Sequence, residues 1–539
     1  MKDVEYKIGM VGNPLIPETQ WSDEQMQVLK DLGFNTVQMN IAWDNRPNGE
    51  ILNLEHVEGE ALKEMQRREN VMKKHSLKGL PHFGMPRIKI LGHEANITSY
   101  ITPACISDEF IVSEECEKFK KFFKNCPTVK DIMIYTYDQH AWLCSEFGNC
   151  PRCAGIPLSD RLPKFLNTIL DTLYDIDPEI TFWWQPWELS LGQILDTLDK
   201  IDKPNFGLML NTGGLESYFT NFQNTWIKTI GDKAKEKNIP IIGEIQATGS
   251  GVGTVPLQRF PCPTLVYRQI EILQSLPTLK GIKEHFGIAF SRLGVNTLFL
   301  KEYFKNCNLS LDELLKNTAK YYGEKASEYL IEAWKESEKG MDLIPYSFTY
   351  EYSNIACLSP KHDYNFPKVN CVHANTPAWE SDRRAGIMLT HDTNYHPWAM
   401  ENAALLFKQS SAKFLKVAEL YKKAIEVCSA RADDLEEAYS DIMVMYRANK
   451  GQYLKFMMGL TAVDARTAYF QNDKKKYSAI YDKFESLLKE DMENREYDDE
   501  VKKEYETFKK DDKYYFDTRF MQDEHFWGNT YVNKIDKRY

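Results

Sequence analysis

Short apolar runs alternate with charged segments of helical periodicity through the first 290 residues of the chain. Eight such runs, rich in Val, Ile, Met, Phe and Tyr, lie at 6–13, 35–43, 77–86, 131–140, 179–188, 206–214, 239–248 and 281–290. Most are continuously apolar rather than alternating, as expected of parallel strands that are buried on both faces. A strand followed by a helix, eight times over, predicts an α/β fold, the (β/α)8 TIM barrel. A doubly wound sheet shows the same alternation, and the count of eight favours the barrel.

Two capping motifs support this division into elements. Ser22 is followed by Gln25, and Ser310 by Glu313. This Ser-x-x-Glu/Gln spacing satisfies free backbone amides at the start of a helix, so we expect helices to begin after Ser22 and after Ser310.

The pattern changes beyond residue 310. Residues 309–340 predict two helices, and an irregular stretch containing Pro, Asn and His then extends from residue 344 to about residue 397. A long helix is predicted next, followed by two further charged helices. The apolar positions at helical spacing in the first of these are Phe414, Val417, Ala418, Tyr421, Ala424, Ile425 and Cys428.

We therefore divide the chain into three parts. Residues 1–309 form the barrel, 310–400 an extension of the barrel with an irregular linker, and 401–539 a mainly helical C-terminal domain. With 539 residues, 43% of them hydrophobic, the chain has enough apolar material for a barrel and an accessory domain.

Charge and composition exclude some partners. The net charge of −11 disfavours nucleic acid and anionic membranes, since either would need a basic face. The N-terminus shows no signal peptide, and no segment approaches 18 consecutive apolar residues. We expect a cytoplasmic protein, with secretion left open if a leader has been removed. The sequence also leaves a homodimer open.

Polar and aromatic residues cluster at the ends of the predicted strands. Barrel enzymes keep their chemistry at the carboxyl ends of their strands, so we expect these side chains to line one pocket. Sugars bind to such a mixture of amides, carboxylates and aromatic rings. The candidates are Asn13, Asn40, Trp43, His82, Arg87, Asp138, His140, Gln185, Trp187, Glu188, Asn211, Glu244, Gln246 and Glu284.

Cleavage of a glycosidic bond requires two carboxyl-type groups that flank it. Asp138, Glu188, Glu244 and Glu284 are the candidates for these roles. The fourth and seventh strands of a barrel lie across the pocket from each other, so we favour Asp138 or His140 facing Glu244. Each acid could instead be a buried hydrogen-bond or salt-bridge partner of a neighbouring strand.

Two basic residues have their own alternatives. His140 lies two residues after Asp138, on the same side of a strand, and the pKa of histidine is suited to proton transfer. It could equally be structural or a metal ligand. Arg259 follows a Gly-rich loop and could clamp a substrate carboxylate, although a solvated surface position is the simpler interpretation.

Cysteines indicate a metal site. The chain has eleven, an odd number that fits reduced thiols better than a disulfide framework. Cys144, Cys150 and Cys153 follow one another as C-x5-C-x2-C, and C-x2-C is the spacing at which two thiolates reach one zinc ion. Cys105, in the loop after the third strand, is the expected fourth ligand. Four thiolates would make a structural zinc site; the alternative is a set of reduced loop cysteines.

Residues 101–170 resemble glycoside hydrolases related to the family 20 hexosaminidases. The resemblance lies in ITPACISDEF, KNCPTVKDIMIYTYD, CSEFGNCPRCAG and SDRLPKFLNTI, and also in YYGEKASEYLIEAW further on. Family 20 enzymes carry consecutive Asp-Glu at the end of strand four, where this chain has Asp138-Gln139. The Asp-x-His arrangement is similar instead to the inverting exo-sialidases of family 156, which implies a carboxylated nonulosonic acid as substrate.

The sequence thus predicts an exo-acting glycoside hydrolase that removes a terminal sugar from glycans or glycoconjugates, with sialidase and hexosaminidase-like activities both open. Asp138, His140 and Glu244 would be the central groups, with Glu188 as a further acid. No organic cofactor is expected. One alternative is a sugar-acid lyase or isomerase on a metal-containing barrel, and another is a non-catalytic carbohydrate-binding protein.

Overall fold

The structure is a computed structural model that describes part of the chain. The described residues are 1–11, 21–40, 58–86, 104–135, 146, 150–186, 189–211, 221–245, 247, 261–284, 294–343, 397–429, 436–471 and 473–494. Eight strands form a closed barrel in chain order, and β8 pairs with β1. Every neighbouring pair is parallel. The predicted (β/α)8 barrel is therefore confirmed.

The eight strands coincide with the eight predicted apolar runs. They are β1 (Tyr6–Met10), β2 (Thr36–Asn40), β3 (Lys78–Gly84), β4 (Asp131–Tyr135), β5 (Thr181–Gln185), β6 (Phe206–Asn211), β7 (Ile241–Ile245) and β8 (Leu279–Glu284).

Within the described residues, one helix follows each strand along the chain. These helices are α1 (Asp23–Asp31), α2 (Gly59–Lys74), α3 (Glu109–Asn125), α4 (Leu158–Ile176), α5 (Leu191–Asp199), α6 (Asn221–Glu236), α7 (Pro263–Gln274) and α8 (Val295–Lys305). The two predicted capping boxes are present, at Ser22 before α1 and at Ser310 before the next helix.

Five further helices follow the barrel in the part of the chain that the structure describes. They are α9 (Leu311–Ala319), α10 (Glu324–Met341), α11 (Pro397–Ser429), α12 (Glu436–Phe470) and α13 (Lys474–Asn494). The predicted apolar positions of α11 from Phe414 to Cys428 are buried, apart from the partly buried Ile425. None of the described helices is long and apolar enough to cross a membrane.

Helix α10 connects the barrel to the later helices. On the barrel side, Arg268 of α7 forms ion pairs with Glu338 (2.5 Å) and Asp342 (2.7 Å). On the other side, Ser337 donates a hydrogen bond to Asn449 of α12 (2.9 Å). The barrel core and buried residues of α11 and α12 belong to one apolar cluster. The predicted division at residues 309/310 and 400/401 stays a prediction.

Large and small side chains alternate inside the barrel. Trp183 of β5 is buried, and its ring occupies the space beside Gly207 of β6, where a Cβ atom would lie 2.3 Å from the ring. Gly281 of β8 similarly makes room for Tyr6 of β1, since its Cβ would lie 2.6 Å from the Tyr6 Cβ. The two aromatic rings contact each other edge to face, with 5.4 Å between centroids. These glycines allow the lumen to be filled without a void.

Adding a methyl group at Gly207 should therefore destabilise the barrel. We expect Gly207→Ala to lower the free energy of unfolding by roughly 1–3 kcal/mol, because the indole of Trp183 must move. Urea unfolding monitored by circular dichroism measures this. Gly192→Ala in α5 is the control, since only the Ser190 hydroxyl lies near its added Cβ, at 4.0 Å. Equal stability of the two variants would contradict the packing argument.

Candidate active site at the carboxyl end of the barrel

The sheet register brings several predicted residues to one end of the barrel. Asn40 pairs with His82, Tyr135 with Gln185, and Asn211 with Glu244. Each of these positions lies at or near the carboxyl end of its strand. Each strand from β2 to β7 therefore contributes either a predicted site residue or a residue paired with one to the same end of the barrel.

Three buried side chains at this end form a compact group, which we call the Glu244 cluster: Gln185 of β5, Glu244 of β7 and Lys283 of β8. The Gln185 amide nitrogen donates to Oε2 of Glu244 at 2.6 Å. The Lys283 ammonium forms an ion pair with Oε1 of the same carboxylate. Glu244 is 0% exposed and Lys283 1% exposed.

The Glu244 carboxylate is thus held on both oxygens inside the barrel. A buried carboxylate is costly unless a cation and hydrogen-bond donors compensate it, and this cluster supplies both. The geometry of Glu244 is that of a buried salt-bridge and hydrogen-bond partner of other strands, the alternative to a catalytic role for each candidate acid. Its role as the opposing carboxylate in catalysis stays a prediction.

Glu284 lies at the end of β8 and braces the loop that follows β7. Its Oε2 accepts a hydrogen bond from the backbone N–H of Ala247 at 3.0 Å, and the residue is 1% exposed. The Lys283 ammonium also donates to the Glu284 carbonyl oxygen at 3.2 Å. The carboxyl ends of β7 and β8 are therefore joined by two side chains of β8: Lys283 contacts Glu244, and Glu284 contacts the backbone of Ala247.

His82 lies in a second polar group of the barrel. Its Nδ1 is 3.0 Å from Nε2 of Gln38, on the neighbouring strand β2. The Gln38 amide and the His82 imidazole are thus hydrogen-bond partners, and the tautomer of His82 decides which of them donates. The ring of His82 packs against Tyr135 of β4 with 4.7 Å between centroids. A histidine held in this way presents an oriented imidazole at the carboxyl half of the barrel.

Three cysteines meet beside this end of the barrel. The Sγ atom of Cys105 lies 3.4 Å from that of Cys153 and 3.8 Å from that of Cys150. All three sulfurs lie within 4.8 Å of one another, so these residues could hold a metal ion. The expected meeting of the loops after β3 and β4 is thereby observed for three of the four predicted ligands.

Backbone hydrogen bonds shape the loop that carries Cys150 and Cys153. The N–H groups of Cys153 and Ala154 donate to the carbonyl of Cys150 at 3.1 and 2.9 Å, forming a tight turn. Gly155 follows at φ 74°, a conformation that favours glycine. Arg152 forms an ion pair with Asp108 (2.9 Å), which joins this loop to the start of α3. The loop is thus anchored on both sides of the sulfur cluster.

Several predicted residues lie outside the described part of the chain. They are Asn13, Trp43, Arg87, Asp138, His140, Cys144, Trp187, Glu188, Gln246 and Arg259, together with the side chains of Asn40 and Asn211. Their predicted roles stay predictions.

Lys283 and Gln38 were not among the predicted site residues. Both interrupt apolar strands at positions that face the lumen, and Lys283 lies two residues after Gly281, on the same face of β8. A lysine inside a buried strand needs an anionic partner, so this spacing is a signal that sequence reasoning could have used.

Another buried acid, Asp131, lies at the opposite, amino end of the barrel. Asp131 accepts hydrogen bonds from Nε1 of Trp183 (2.8 Å) and from the hydroxyl of Tyr6 (3.2 Å). Burial raises the pKa of Asp131, while the hydrogen bonds from Trp183 and Tyr6 and the charge of Lys78 act in the opposite direction. The carboxyl groups at the two ends of the lumen therefore have different hydrogen-bond and charge partners. Glu244 contacts a cation, whereas Asp131 accepts hydrogen bonds from neutral donors.

No family model matches the sequence, and the search of curated proteins gives no match. Among solved structures, the chain is similar to a GH138 enzyme targeting pectin rhamnogalacturonan II, with a TM-score of 0.54 and 11% identity. The similarity covers 92% of this chain and 63% of that one, so the chain spans less than two thirds of that enzyme. At this identity the likeness shows the fold alone.

Two other solved structures are similar to the chain with lower TM-scores, and we draw no conclusion from them. One is an O-GlcNAc hydrolase of Thermobaculum terrenum, with a TM-score of 0.46, 11% identity, and coverage of 99% of this chain and 96% of that one. The other is CpGH84B, with a TM-score of 0.42, 10% identity, and coverage of 91% and 74%. The resemblances to families 20 and 156 gain no support from these structures and stay predictions.

The raised pKa of Asp131 has a consequence for stability. An acid whose pKa is raised by folding stabilises the protein at low pH, and this contribution is lost as the pH rises through the folded pKa. Asp131→Asn removes the charge and keeps an acceptor for Trp183. We expect the melting temperature of the variant, relative to wild type, to increase as the pH rises from about 4 to 7. Thermal unfolding at several pH values measures this, and a constant difference would contradict it.

Proposed function

We propose that the protein is an exo-acting glycoside hydrolase whose pocket lies at the carboxyl end of the barrel. The proposal is supported chiefly by the register that places His82, Gln185 and Glu244 around that one end. A fold shared with a GH138 enzyme that targets a pectin is consistent with a glycan substrate. Fold alone does not fix function, so the residues of the site carry the argument.

In the proposed mechanism, Asp138 and His140 form the proton-transfer centre and Glu244 supplies the opposing negative charge. Glycosidic cleavage passes through a transition state with positive charge on the sugar ring, which a fixed carboxylate stabilises. Gln185 and Trp187 would hold the sugar. A sialic acid or an N-acetylhexosamine is the terminal sugar that the sequence resemblances favour.

A panel of chromogenic glycosides that includes sialosides tests the proposal directly. Turnover of one member, followed by NMR of the released sugar, gives both the substrate class and the anomer of the product. A protein that binds glycans but cleaves none of the panel would instead be the carbohydrate-binding alternative. A lyase or isomerase would convert sugar acids and lose activity on chelation, because its metal would contact the substrate.

Asp138→Asn should abolish turnover of the substrate that the panel identifies. The amide is close in shape to the acid but cannot transfer the proton, so we expect a loss of at least about 100-fold in kcat. Asp131→Asn is the matched control, since it makes the same change at the amino end of β4 and should keep turnover. A fully active Asp138→Asn variant would remove this residue from the mechanism.

We also propose that the cysteine cluster binds a structural zinc ion. A tetrahedral site with Zn–S distances of about 2.3 Å places its sulfurs about 3.8 Å apart. The distances of 3.4 and 3.8 Å from Cys105 fit this geometry and are far longer than the roughly 2.05 Å of a disulfide. Cys144 would be the fourth ligand. Four thiolates leave no position for water, so the ion would hold two loops together rather than activate a nucleophile.

The zinc proposal predicts one zinc ion per chain in the purified protein, measured by plasma mass spectrometry. Cys153→Ser should lose the ion and lower the melting temperature, because the bound metal contributes to folding. A chelator should lower the melting temperature of wild type and leave that of the variant unchanged. Cys116→Ser, at a buried thiol on α3 away from the cluster, should retain the metal. Wild-type protein free of zinc after growth in zinc would argue for reduced loop cysteines.

A further inference from the structure

Lys283 is a buried cation that the proposed mechanism does not yet use. It lies on β8 directly beside Glu244 of β7 in the sheet register, and its side chain is 2% exposed. Its ammonium contacts Glu244 Oε1 and the carbonyl oxygen of Glu284. Both contacts lie within the carboxyl half of the barrel, where the proposed pocket is.

The hydrogen bond between Gln185 and Glu244 joins two strands that do not pair with each other in the sheet. Gln185 is on β5 and Glu244 on β7, with β6 between them, so their hydrogen bond of 2.6 Å crosses the lumen. Lys283 approaches the same carboxylate from β8. Among the described residues, the neutral donor Gln185 and the cation Lys283 contact this carboxylate from two different strands, so its orientation depends on β5, β7 and β8 together.

Burial makes the cation decisive for the charge state of the carboxyl group. Without a cation in contact, a carboxyl group that is fully buried takes the neutral form, since desolvation penalises the charged one. Asp131 shows this tendency at the amino end of the same lumen, where burial is the largest influence on its pKa. What differs at Glu244 is the ammonium of Lys283 in contact with its Oε1.

We propose that Lys283 is a positioning residue for the reaction: it holds Glu244 ionised and, together with Gln185, aims its carboxylate along the lumen. The inference rests on the proposed glycoside hydrolase function, in which Glu244 is the fixed negative charge opposite Asp138. Lys283 would act through Glu244 and not through contact with the substrate.

The first test needs no substrate. Lys283→Met keeps most of the side-chain volume and removes the ammonium that contacts the buried Glu244. We expect its melting temperature to fall below that of wild type by several degrees at pH 7. The deficit should shrink as the pH is lowered towards about 4.5, where the carboxyl group takes up a proton readily.

Two further variants isolate the pair. Lys283→Met combined with Glu244→Gln removes both charges, so its melting temperature should exceed that of Lys283→Met at pH 7 and lose the pH-dependent deficit. Lys280→Met is the control on the same strand, because its side chain is 55% exposed and its ammonium lies 3.8 Å from Glu5. A further outcome is that Lys283→Met fails to fold at pH 7 while the double variant folds. That result would equally support the inference, because it would show that the charge of Glu244 is destabilising without the Lys283 ammonium.

The second test uses the glycoside that the panel identifies. We expect Lys283→Met to lower kcat by about 10- to 100-fold with little change in KM, a loss typical of residues that orient a reacting group. The acidic limb of its pH–rate profile should move to higher pH, since Glu244 would be ionised only there. Lys283→Arg keeps the charge and should keep the wild-type profile.

The two tests fail separately. A stability deficit of Lys283→Met that is the same at pH 4.5 and pH 7, and is not relieved by Glu244→Gln, would overturn the inference whatever the panel shows. An unshifted pH–rate profile in Lys283→Met would also overturn it. A panel without turnover would refute the proposed function, and the stability test would then decide alone whether Lys283 holds Glu244 ionised.

Discussion

Closure of the parallel sheet is the constraint on which the rest of the structure depends. Once β8 pairs with β1, every second side chain of each strand points into one lumen of fixed width. The lumen can be filled only if large and small residues face each other, as Trp183 does with Gly207 and Tyr6 with Gly281. Polar side chains in the lumen must then find their partners on other strands, because water has little room there.

Asp131 and Glu244 show how the same lumen supports different chemistry at its two ends. Asp131 is surrounded by the hydroxyl of Tyr6 and the indole of Trp183, and burial raises its pKa. Such a group stabilises the amino end as a hydrogen-bond acceptor. Glu244, near the carboxyl end, is held by Gln185 and by the cation of Lys283. The end at which the proposed pocket lies therefore contains an oriented charge.

Backbone and side-chain hydrogen bonds connect the segments that carry the three cysteines to the barrel strands and helices beside them. Ala104, next to Cys105, donates a hydrogen bond to the carbonyl of Pro86, just after β3. Glu146 accepts hydrogen bonds from Gly155 and Leu158, at the start of α4. The three cysteines thus lie between the ends of β3 and β4 and the helices that follow them. A metal held there would stabilise the loops on this side of the proposed pocket.

The sequence by itself determined the architecture. The predictions that were confirmed depend on local patterns: eight apolar runs, the capping boxes at Ser22 and Ser310, and the helical spacing from Phe414 to Cys428. Such patterns predict structure well because each depends only on residues that are close together in the chain. The convergence of Cys105 with Cys150 and Cys153 also followed, because the order of strands in a barrel fixes which loops are adjacent.

Only the tertiary structure decided the partners inside the lumen. Gln185, Glu244 and Lys283 lie far apart in the chain, and their contacts depend on the register of β5, β7 and β8 and on the inward direction of each side chain. A shift of one residue in any of these strands would turn the side chain to the other face. The ion pair that fixes the charge of Glu244 is for this reason a property of the closed barrel, and the sequence could name its carboxylate but not its cation.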